Sequence, residues 1–292
     1  MITPCPARKQ VASMSPDNEW PDTARVHARS SRAKPSGGVG RSPMCVLIVC
    51  RDIDPDYPVI LAANREEDPS RPTSPPGLHA VADRCALYPQ DKRHGGTWIG
   101  INDSGIAVAL TNVAGAPVPE AAHSRGLAVL QALAAGSVDE ALDNVRGFMA
   151  REVVRPLQLV VADGARLAYF RRAGDDEACF DIEDLAVVLT NRHPPKTVEI
   201  GGLSGWVAVQ AEQGSDVEVR LDHLVVTLAT AHGIDMKTGE RFPVCVEEGT
   251  QRTVSSTLLA VPRAGGDLRL RYCAGSPRTE RFRDYSGLGA RL

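Results

Sequence analysis

An ordered fold is predicted to begin at residues 44–50, which read Met-Cys-Val-Leu-Ile-Val-Cys. The apolar residues of this stretch follow one another without alternation, as is typical of a strand that is covered on both faces. Cys45 stands at the predicted start of that strand. We therefore expect the folded part of the chain to begin at about Met44 and any chemistry to be built around Cys45.

Residues 1–43 have a different composition from the rest of the 292-residue chain. They are rich in Pro, Ser, Arg and Gly and contain no apolar run at helical or strand spacing. Such a segment buries too little apolar surface to offset the entropy of ordering it, and it lacks the apolar region of a secretory signal. Two interpretations stay open: a disordered extension, or sequence upstream of a true start at Met44. The second is favoured by the chemistry that Cys45 would need.

Apolar periodicity predicts the strands and helices of the remaining chain. The predicted strands cover residues 45–50, 59–63, two segments flanking a hairpin turn at 102–105, 157–162, 166–170, 185–190, 253–261 and 268–273. Helices are predicted to begin at Ser124, at Ser137 with a capping-box pattern, and at about Val219. Loops are predicted over the proline-rich residues 69–94 and over residues 201–216. Because strands and helices do not alternate regularly, we expect an α+β fold with antiparallel sheets, formed by residues 44–292 as a single domain.

The composition excludes several classes of function. The formal net charge is -3 and there is no basic stripe interleaved with aromatics, which argues against a nucleic-acid partner. No apolar run approaches the roughly 20 residues needed to cross a bilayer, so no transmembrane segment is predicted. The seven cysteines are scattered without a Cys-x-x-Cys pair and the histidines are isolated, so no metal, cofactor or disulfide framework is predicted. Reduced thiols favour a cytoplasmic location.

Five polar groups stand at the ends of predicted strands, where layered sheets commonly gather the side chains of a site. They are Cys45, Asn64-Arg65-Glu66, Thr111-Asn112, Thr190-Asn191 and Gln251-Arg252-Thr253. Each group alone is typical of a turn or a solvated surface pair. Their joint occurrence at strand ends is the more informative observation.

In this order, the groups resemble the NRDE family, also called the Transport and Golgi organisation 2 family. The matching motifs are Met44-Cys45, Ala63-Asn64-Arg65-Glu66-Glu67, Arg71-Pro72-Thr73, Gly95-Gly96-Thr97-Trp98 and Leu110-Thr111-Asn112. The resemblance is specific over the first seventy residues after Met44 and thinner beyond them. One departure stands out, because Glu66 replaces the family's aspartate and its longer side chain shifts the carboxylate.

The resemblance implies the fold of the N-terminal nucleophile hydrolases, a four-layer αββα sandwich. In that fold the first residue of the mature chain is the nucleophile, and its own α-amine is the general base. A thiol with a pKa near 8.5 is mostly protonated at neutral pH, and an amine with a pKa of about 7.7–8.0 can accept its proton. An amine in a peptide bond cannot, which is why a start at Met44, followed by removal of that methionine, is the favoured interpretation.

By the same resemblance, five residues are expected to form the site. Cys45 is the nucleophile, and Arg65 would hold the thiolate. Asn112 would donate its side-chain amide to the tetrahedral oxyanion. Asn191 would bind the α-amine or the substrate carbonyl, and Arg252, the loosest match, would place a negative charge near the amine.

Two functions follow from this interpretation. The first is hydrolysis of a non-peptide amide, thioester or ester of a small molecule through an acyl-Cys45 intermediate. The alternative is a non-catalytic carrier or trafficking protein whose pocket holds a lipid, acyl-CoA or haem ligand. A third reading, in which Cys45 is an unreactive strand residue, is disfavoured by the joint presence of Arg65, Asn112 and Asn191. A free Cys45 amine and a reactive thiol would distinguish the hydrolase from the carrier.

Overall fold

The computed structural model describes residues 44–213 and 216–292. The prediction for residues 1–43 lies outside the described residues. The described strands are β1 (Val46–Arg51), β2 (Val59–Glu67), β3 (Thr73–Val81), β4 (Arg84–Asp91), β5 (Ile99–Asn102), β6 (Ala107–Asn112), β7 (Leu157–Ala162), β8 (Leu167–Ala173), β9 (Asp176–Asp181), β10 (Ala186–Thr190), β11 (Val198–Ile200), β12 (His232–Asp235), β13 (Arg241–Pro243), β14 (Arg252–Val261), β15 (Arg269–Cys273) and β16 (Arg283–Asp284). The α-helices are α1 (Arg125–Leu133), α2 (Val138–Arg151), α3 (Leu203–Glu212) and α4 (Val217–Thr230), and a 3-10 helix spans Ser286–Arg291.

Two large sheets organise these strands. The first has the order β10-β1-β2-β14-β15-β16, and the second has the order β3-β4-β5-β6-β7-β8-β9. Neighbouring strands in both sheets pair antiparallel, as the sequence predicted. A small third sheet, β11-β12-β13, flanks them.

Three apolar layers hold the molecule together. The central layer lies between the two large sheets and includes Leu47, Leu61 and Val160. An outer layer packs α3 and α4 against the first sheet, and another packs α1 and α2 against the second sheet. The described chain is therefore an α+β sandwich with the layer order helix, sheet, sheet, helix.

The continuous apolar run at residues 46–50 is explained by the position of β1, which is covered on both faces. It lies between β10 and β2, and successive side chains point to opposite faces. Leu47 and Val49 enter the layer between the sheets, whereas Val46 and Ile48 enter the layer against the helices. The interpretation of residues 45–50 as a strand buried on both faces is confirmed.

Two predicted loops are wrong. Residues 69–94 contain the hairpin of β3 and β4, and two prolines of this proline-rich segment, Pro75 and Pro76, fall where the register shifts between Ser74 and Gly77. Since β3 is an edge strand, prolines at such a bulge remove no ladder hydrogen bond. Residues 201–216 contain α3, which begins directly after Gly202.

The other predicted elements are confirmed with small shifts of their ends. Ser124 is the N-cap of α1, and the Ser137 side chain accepts a hydrogen bond from the Glu140 backbone nitrogen at the start of α2. The hairpin turn at 102–105 joins β5 to β6. Among the described residues, no helix combines the length and apolar character that crossing a membrane would need.

Candidate active site

The register of the first sheet places Cys45 between two of the predicted site residues. Val46 pairs with Asn64 of β2 on one side and with Thr190 of β10 on the other. Because both pairings are antiparallel, Cys45 lies across from Arg65 and Asn191. Three residues that are far apart in the sequence thus meet at one end of the sheet.

The Cys45 side chain points into the space between the two sheets. It follows the same alternation as Leu47 and Val49, and its thiol donates to the Glu66 carbonyl oxygen at 3.6 Å. Burial, and then the charge of Glu66, raise the pKa of the Cys45 thiol well above its usual range, and the opposing effect of Arg65 is smaller. With its amine in a peptide bond, Cys45 therefore holds a protonated, weakly nucleophilic thiol.

Arg65 is held over an aromatic ring with part of its hydrogen-bonding capacity unused. Its Cζ atom lies 4.4 Å from the ring centroid of Trp98, and its Nη2 atom lies 3.4 Å from the Glu67 carboxylate. The Nη1 atom is buried and has no hydrogen-bond partner among the described residues. Burial lowers the pKa of Arg65, with Glu67 opposing this effect. A buried donor without an acceptor is expensive, so Nη1 is available for a thiolate or a ligand oxygen.

A short ion-pair chain fixes the outer side of Arg65. Glu67 also binds Arg71, with Nη1 at 2.7 Å from Oε2. Arg71 in turn binds both oxygens of Asp91. Arg71 is thus neutralised by two carboxylates. Glu67 contacts both arginines, so Arg71 of the motif Arg-Pro-Thr at 71–73 helps to orient Arg65.

The residues flanking Arg65 have different tasks. The Asn64 side chain donates to the backbone oxygens of Leu228 and Val244, both at 2.9 Å, and accepts from Ser256 Oγ at 2.6 Å. It therefore ties the sheet to the helix layer and is structural. Glu66 is buried, and its Oε1 atom accepts from Thr253 Oγ1 at 2.8 Å. Burial raises the pKa of the Glu66 carboxyl above its ordinary range.

Asn112 and Asn191 belong to two turns that contact each other. Asn112 ends β6, and the backbone nitrogen of Ala114 donates to the Asn191 carbonyl oxygen at 2.5 Å. A second link is Gln158 of β7, which donates to the Thr190 carbonyl oxygen at 2.6 Å and accepts from Tyr169 Oη at 2.8 Å. The bonds to Asn191 and Thr190 connect the two sheets and hold together the turns that carry both asparagines, and Tyr169 of the second sheet orients Gln158.

Arg252 is the predicted site residue that the structure does not bring into this cluster. It pairs with Glu67 across the β2–β14 ladder, and its side chain is exposed. Its neighbour Thr253 is buried and contacts Glu66 instead. Side chains alternate along a strand, so one position decides which residue enters the cluster.

The Gly-Gly-Thr-Trp motif packs the start of α1 against the site. A Cβ atom on Gly96 would lie 2.5 Å from the Gly126 backbone carbon, so both positions need glycine. Thr97 donates its hydroxyl to the Pro89 oxygen at 2.6 Å and its backbone nitrogen to the Gly126 oxygen at 3.3 Å. The motif thereby fixes Trp98 beneath Arg65.

Several contributors were missed at the level of sequence. Gln158 had a signal, because it is a lone polar residue in an otherwise apolar strand. Arg125 had another, because an arginine in the first turn of a helix opposes the helix dipole. The described residues contain no group of three or more His, Cys, Asp or Glu side chains placed to hold a metal ion.

Comparisons with known proteins agree with this geometry. The family model described as Transport and Golgi organisation 2 matches residues 44–262. Penicillin V acylase from Agrobacterium tumefaciens is 12% identical with a TM-score of 0.54, covering 85% of this chain and 87% of that chain. A variant of conjugated bile acid hydrolase from Clostridium perfringens is 10% identical with a TM-score of 0.51, covering 82% of this chain and 96% of that one. A search of curated proteins gave no match. The predicted αββα sandwich of the N-terminal nucleophile hydrolases is confirmed.

Proposed function

The chain belongs to the Transport and Golgi organisation 2 family, and from this premise we propose that it is an N-terminal-cysteine hydrolase. Its substrate would be a small molecule with a non-peptide amide, thioester or ester bond, cleaved through an acyl-Cys45 intermediate. The observation that carries the proposal is the position of Cys45, whose thiol faces the space between the sheets. It lies across from Arg65, whose buried Nη1 atom has no hydrogen-bond partner in the described part of the chain. Both structural neighbours, an acylase and a bile acid hydrolase, are named for hydrolytic or acyl-transfer reactions.

The reaction begins with activation of the thiol. When Met44 is absent, the α-amine of Cys45 accepts the thiol proton and becomes an ammonium group. The sulfur then attacks the substrate carbonyl carbon, an S–C bond forms, and the carbonyl π electrons move to the oxygen. Arg65 Nη1 stabilises the thiolate before attack, since it is a cationic donor with no other acceptor among the described residues.

The oxyanion and the leaving group are handled by the asparagine turns. Asn112 donates its side-chain amide to the tetrahedral oxyanion, and Asn191 lies across from Cys45 on the other side, where it can bind the α-amine. The ammonium group returns its proton to the leaving nitrogen, sulfur or oxygen as the bond to carbon breaks. Water then attacks the acyl-Cys45 thioester, the amine accepts the water proton, and the released thiolate recovers it.

One observation favours the alternative, a ligand carrier. While Cys45 remains bonded to Met44, burial raises the pKa of its thiol and leaves it protonated. Met44 is itself buried, in the apolar layer between the first sheet and the helices. A protein that keeps this methionine would have the cluster of polar residues around Cys45 without the activated nucleophile, and would bind a ligand without cleaving it.

The deciding experiment combines intact mass with thiol reactivity. The protein is isolated from its native host and treated briefly with iodoacetamide at neutral pH, beside the variant Cys45→Ala. Cys179 is an exposed free thiol and serves as the internal reference. A chain that begins at Cys45, with one fast adduct that the variant loses, supports the hydrolase. A chain that retains Met44, or a Cys45 that reacts more slowly than Cys179, overturns it in favour of the carrier.

A further inference from the structure

Two arginines beside the site are held together by backbone contacts. Arg125 is the first residue of α1, and its Nε atom donates to the Pro156 carbonyl oxygen at 2.6 Å. Arg155 precedes that proline, and its backbone nitrogen donates to the His123 oxygen at 3.2 Å. An isolated parallel bridge joins His123 to Val154. Both arginines are therefore fixed to the same ridge, where the segment before α1 meets the segment before β7.

The ridge lies beside the cluster that contains Cys45. The start of α1 is packed on the Gly-Gly-Thr-Trp motif, since the Gly126 oxygen accepts from the Thr97 nitrogen, and the Trp98 ring of the same motif packs on Arg65. Burial, and then the neighbouring Arg155, lower the pKa of Arg125 to about 10, and Cys45 and Glu67 oppose this effect.

The two arginines of this ridge differ from Arg71 in their ion pairing. Arg71 binds Glu67 and Asp91. Within residues 44–213 and 216–292, by contrast, neither Arg125 nor Arg155 forms an ion pair, and the carboxylate of the ridge, Glu152, pairs with His123. The first turn of α1 has no acidic residue, and the Ser124 side chain makes no capping hydrogen bond. The helix dipole adds further positive potential at this point.

A separate observation points to a ligand in the adjoining cluster, where Arg65 packs on Trp98. Arg65 Nη1 is buried without a partner among the described residues, on the side of the sheet that faces Cys45. Within the part of the chain that the structure describes, two arginines without an ion pair, a helix N-terminus and a buried donor without an acceptor together favour an anion, and they disfavour a cationic ligand group.

We propose that Arg125 and Arg155 bind an anionic group, a carboxylate or a phosphate, on the molecule whose acyl bond is presented to Cys45. This inference rests on the proposed function and narrows it, because it makes the substrate an acidic acyl derivative instead of a neutral one. Arginine suits the task, since its planar fork matches both carboxylate and phosphate oxygens.

The first test compares a charged and a neutral alkylating reagent on the same thiol. Iodoacetate and iodoacetamide each form an S–C bond and release iodide, and they differ in the carboxylate. The rate with iodoacetate at Cys45 is divided by the rate with iodoacetamide, and this ratio is normalised to the same ratio for glutathione. The normalised ratio is expected to be about 10, because a charge pair near a protein surface favours the anionic reagent. Arg125→Gln and Arg155→Gln should each bring the normalised ratio towards one, and Arg125→Lys should retain part of it.

The matched control is Arg166→Gln. Arg166 is an arginine that binds Asp139 and Asp181, and its loss should leave the ratio unchanged. A normalised ratio of one in the unaltered protein, or a ratio that Arg125→Gln and Arg166→Gln lower equally, contradicts the proposal. Thermal unfolding of each variant shows whether the fold is kept. If Arg125→Gln does not fold, the normalised ratio of Arg155→Gln decides, because Arg155 is exposed.

The second test does not depend on reactivity. Glutarate and inorganic phosphate are titrated calorimetrically into the Cys45→Ala variant, with and without Arg125→Gln. Binding of glutarate alone identifies a carboxylate site, and binding of phosphate alone identifies a phosphate site; either must be lost with Arg125→Gln. If Cys45 is unreactive but an anion binds in this way, the proposed hydrolysis fails and the anion site stands. If Cys45 reacts and neither anion binds, the anion site alone is overturned.

Discussion

Two buried arginines of this protein are held in opposite ways. Arg220 of α4 is 1% exposed and forms an ion pair with Asp54, and it also donates to the carbonyl oxygens of Gln210 at 3.3 Å and Gln213 at 3.2 Å. Arg65 of β2 is 8% exposed, yet its Nη1 atom has no partner among the described residues. Burial alone therefore does not distinguish the two arginines. The difference lies in their terminal nitrogens, because Nη1 and Nη2 of Arg220 both have protein acceptors, whereas Nη1 of Arg65 has none among the described residues.

The largest effect on stability is expected at Arg220. Arg220→Met leaves the Asp54 carboxylate buried without its cation, so the free energy of unfolding should fall by about 3–5 kcal/mol. The rate of Cys45 alkylation in the folded protein should not change. Urea unfolding measures the first quantity and mass spectrometry the second. Adding Asp54→Asn should restore part of the lost stability. If Arg220→Met instead lowered Cys45 reactivity without lowering the free energy of unfolding, the contrast between Arg220 and Arg65 would fail.

The next effect is on turnover. Asn112→Leu removes the proposed oxyanion donor, so kcat for a p-nitrophenyl acyl ester should fall about 10²–10³-fold. Asn102 offers a matched control, because its side chain donates to the carbonyl oxygens of Leu133 and Ala135. Asn102→Leu should therefore lower stability and leave kcat of the folded fraction unchanged. Equal kcat in the two variants would remove Asn112 from the mechanism.

Arg65→Gln sharpens the comparison directly. It removes the cation that faces the thiol, so the rate of Cys45 alkylation at neutral pH should fall by about 10²-fold. Because Nη1 has no hydrogen-bond partner to lose within residues 44–213 and 216–292, the free energy of unfolding should change by only about 1 kcal/mol. If Arg65→Gln instead destabilises the fold as much as Arg220→Met does, then both arginines are structural.

The smallest effect concerns pH and Glu66. Burial raises the pKa of this carboxyl, so the native state binds the proton more tightly than the unfolded state. Stability contributed by the protonated form is therefore present at low pH and declines as pH rises above the ordinary glutamate value. Glu66→Gln keeps an acceptor for Thr253 without ionising. Between about pH 5 and about pH 8 the variant should gain on the order of 1–2 kcal/mol relative to the unaltered protein, measured by urea unfolding. A constant difference would show that Glu66 does not titrate in this range.

The sequence was sufficient for the elements with a simple pattern. The apolar run at 45–50 required a strand buried on both faces, and β1 has that position. Two elements, β3 and α3, were not predicted because residues typical of loops lie in or beside them. Pro75 and Pro76 lie in β3 at an edge bulge, and Gly202 precedes α3. In both cases tertiary packing outweighed local propensity.

The site was predictable in its residue types and less so in its geometry. Cys45, Arg65 and Asn191 meet because of strand register, which a single sequence does not specify. The sequence pointed to Arg252, whereas the neighbouring residue, Thr253, has the side chain that enters the cluster. Adjacent side chains in a strand face opposite ways, so this difference also depends on register. Arg125 lay outside any motif, because its proximity to Cys45 depends on how α1 packs on the second sheet.

The contact between Gly96 and Gly126 has a consequence for mutational tolerance. A side chain on either glycine would overlap backbone atoms of the partner segment, and the two segments would have to separate. Trp98 lies two residues after one glycine and Arg125 directly before the other, so one substitution would displace both the ring beneath Arg65 and the arginine at the start of α1. A single missense change at either position would then impair the proposed catalysis and the proposed anion binding jointly. Genetic variation at these two sites should produce the same deficiency, although the residues lie thirty positions apart in the chain.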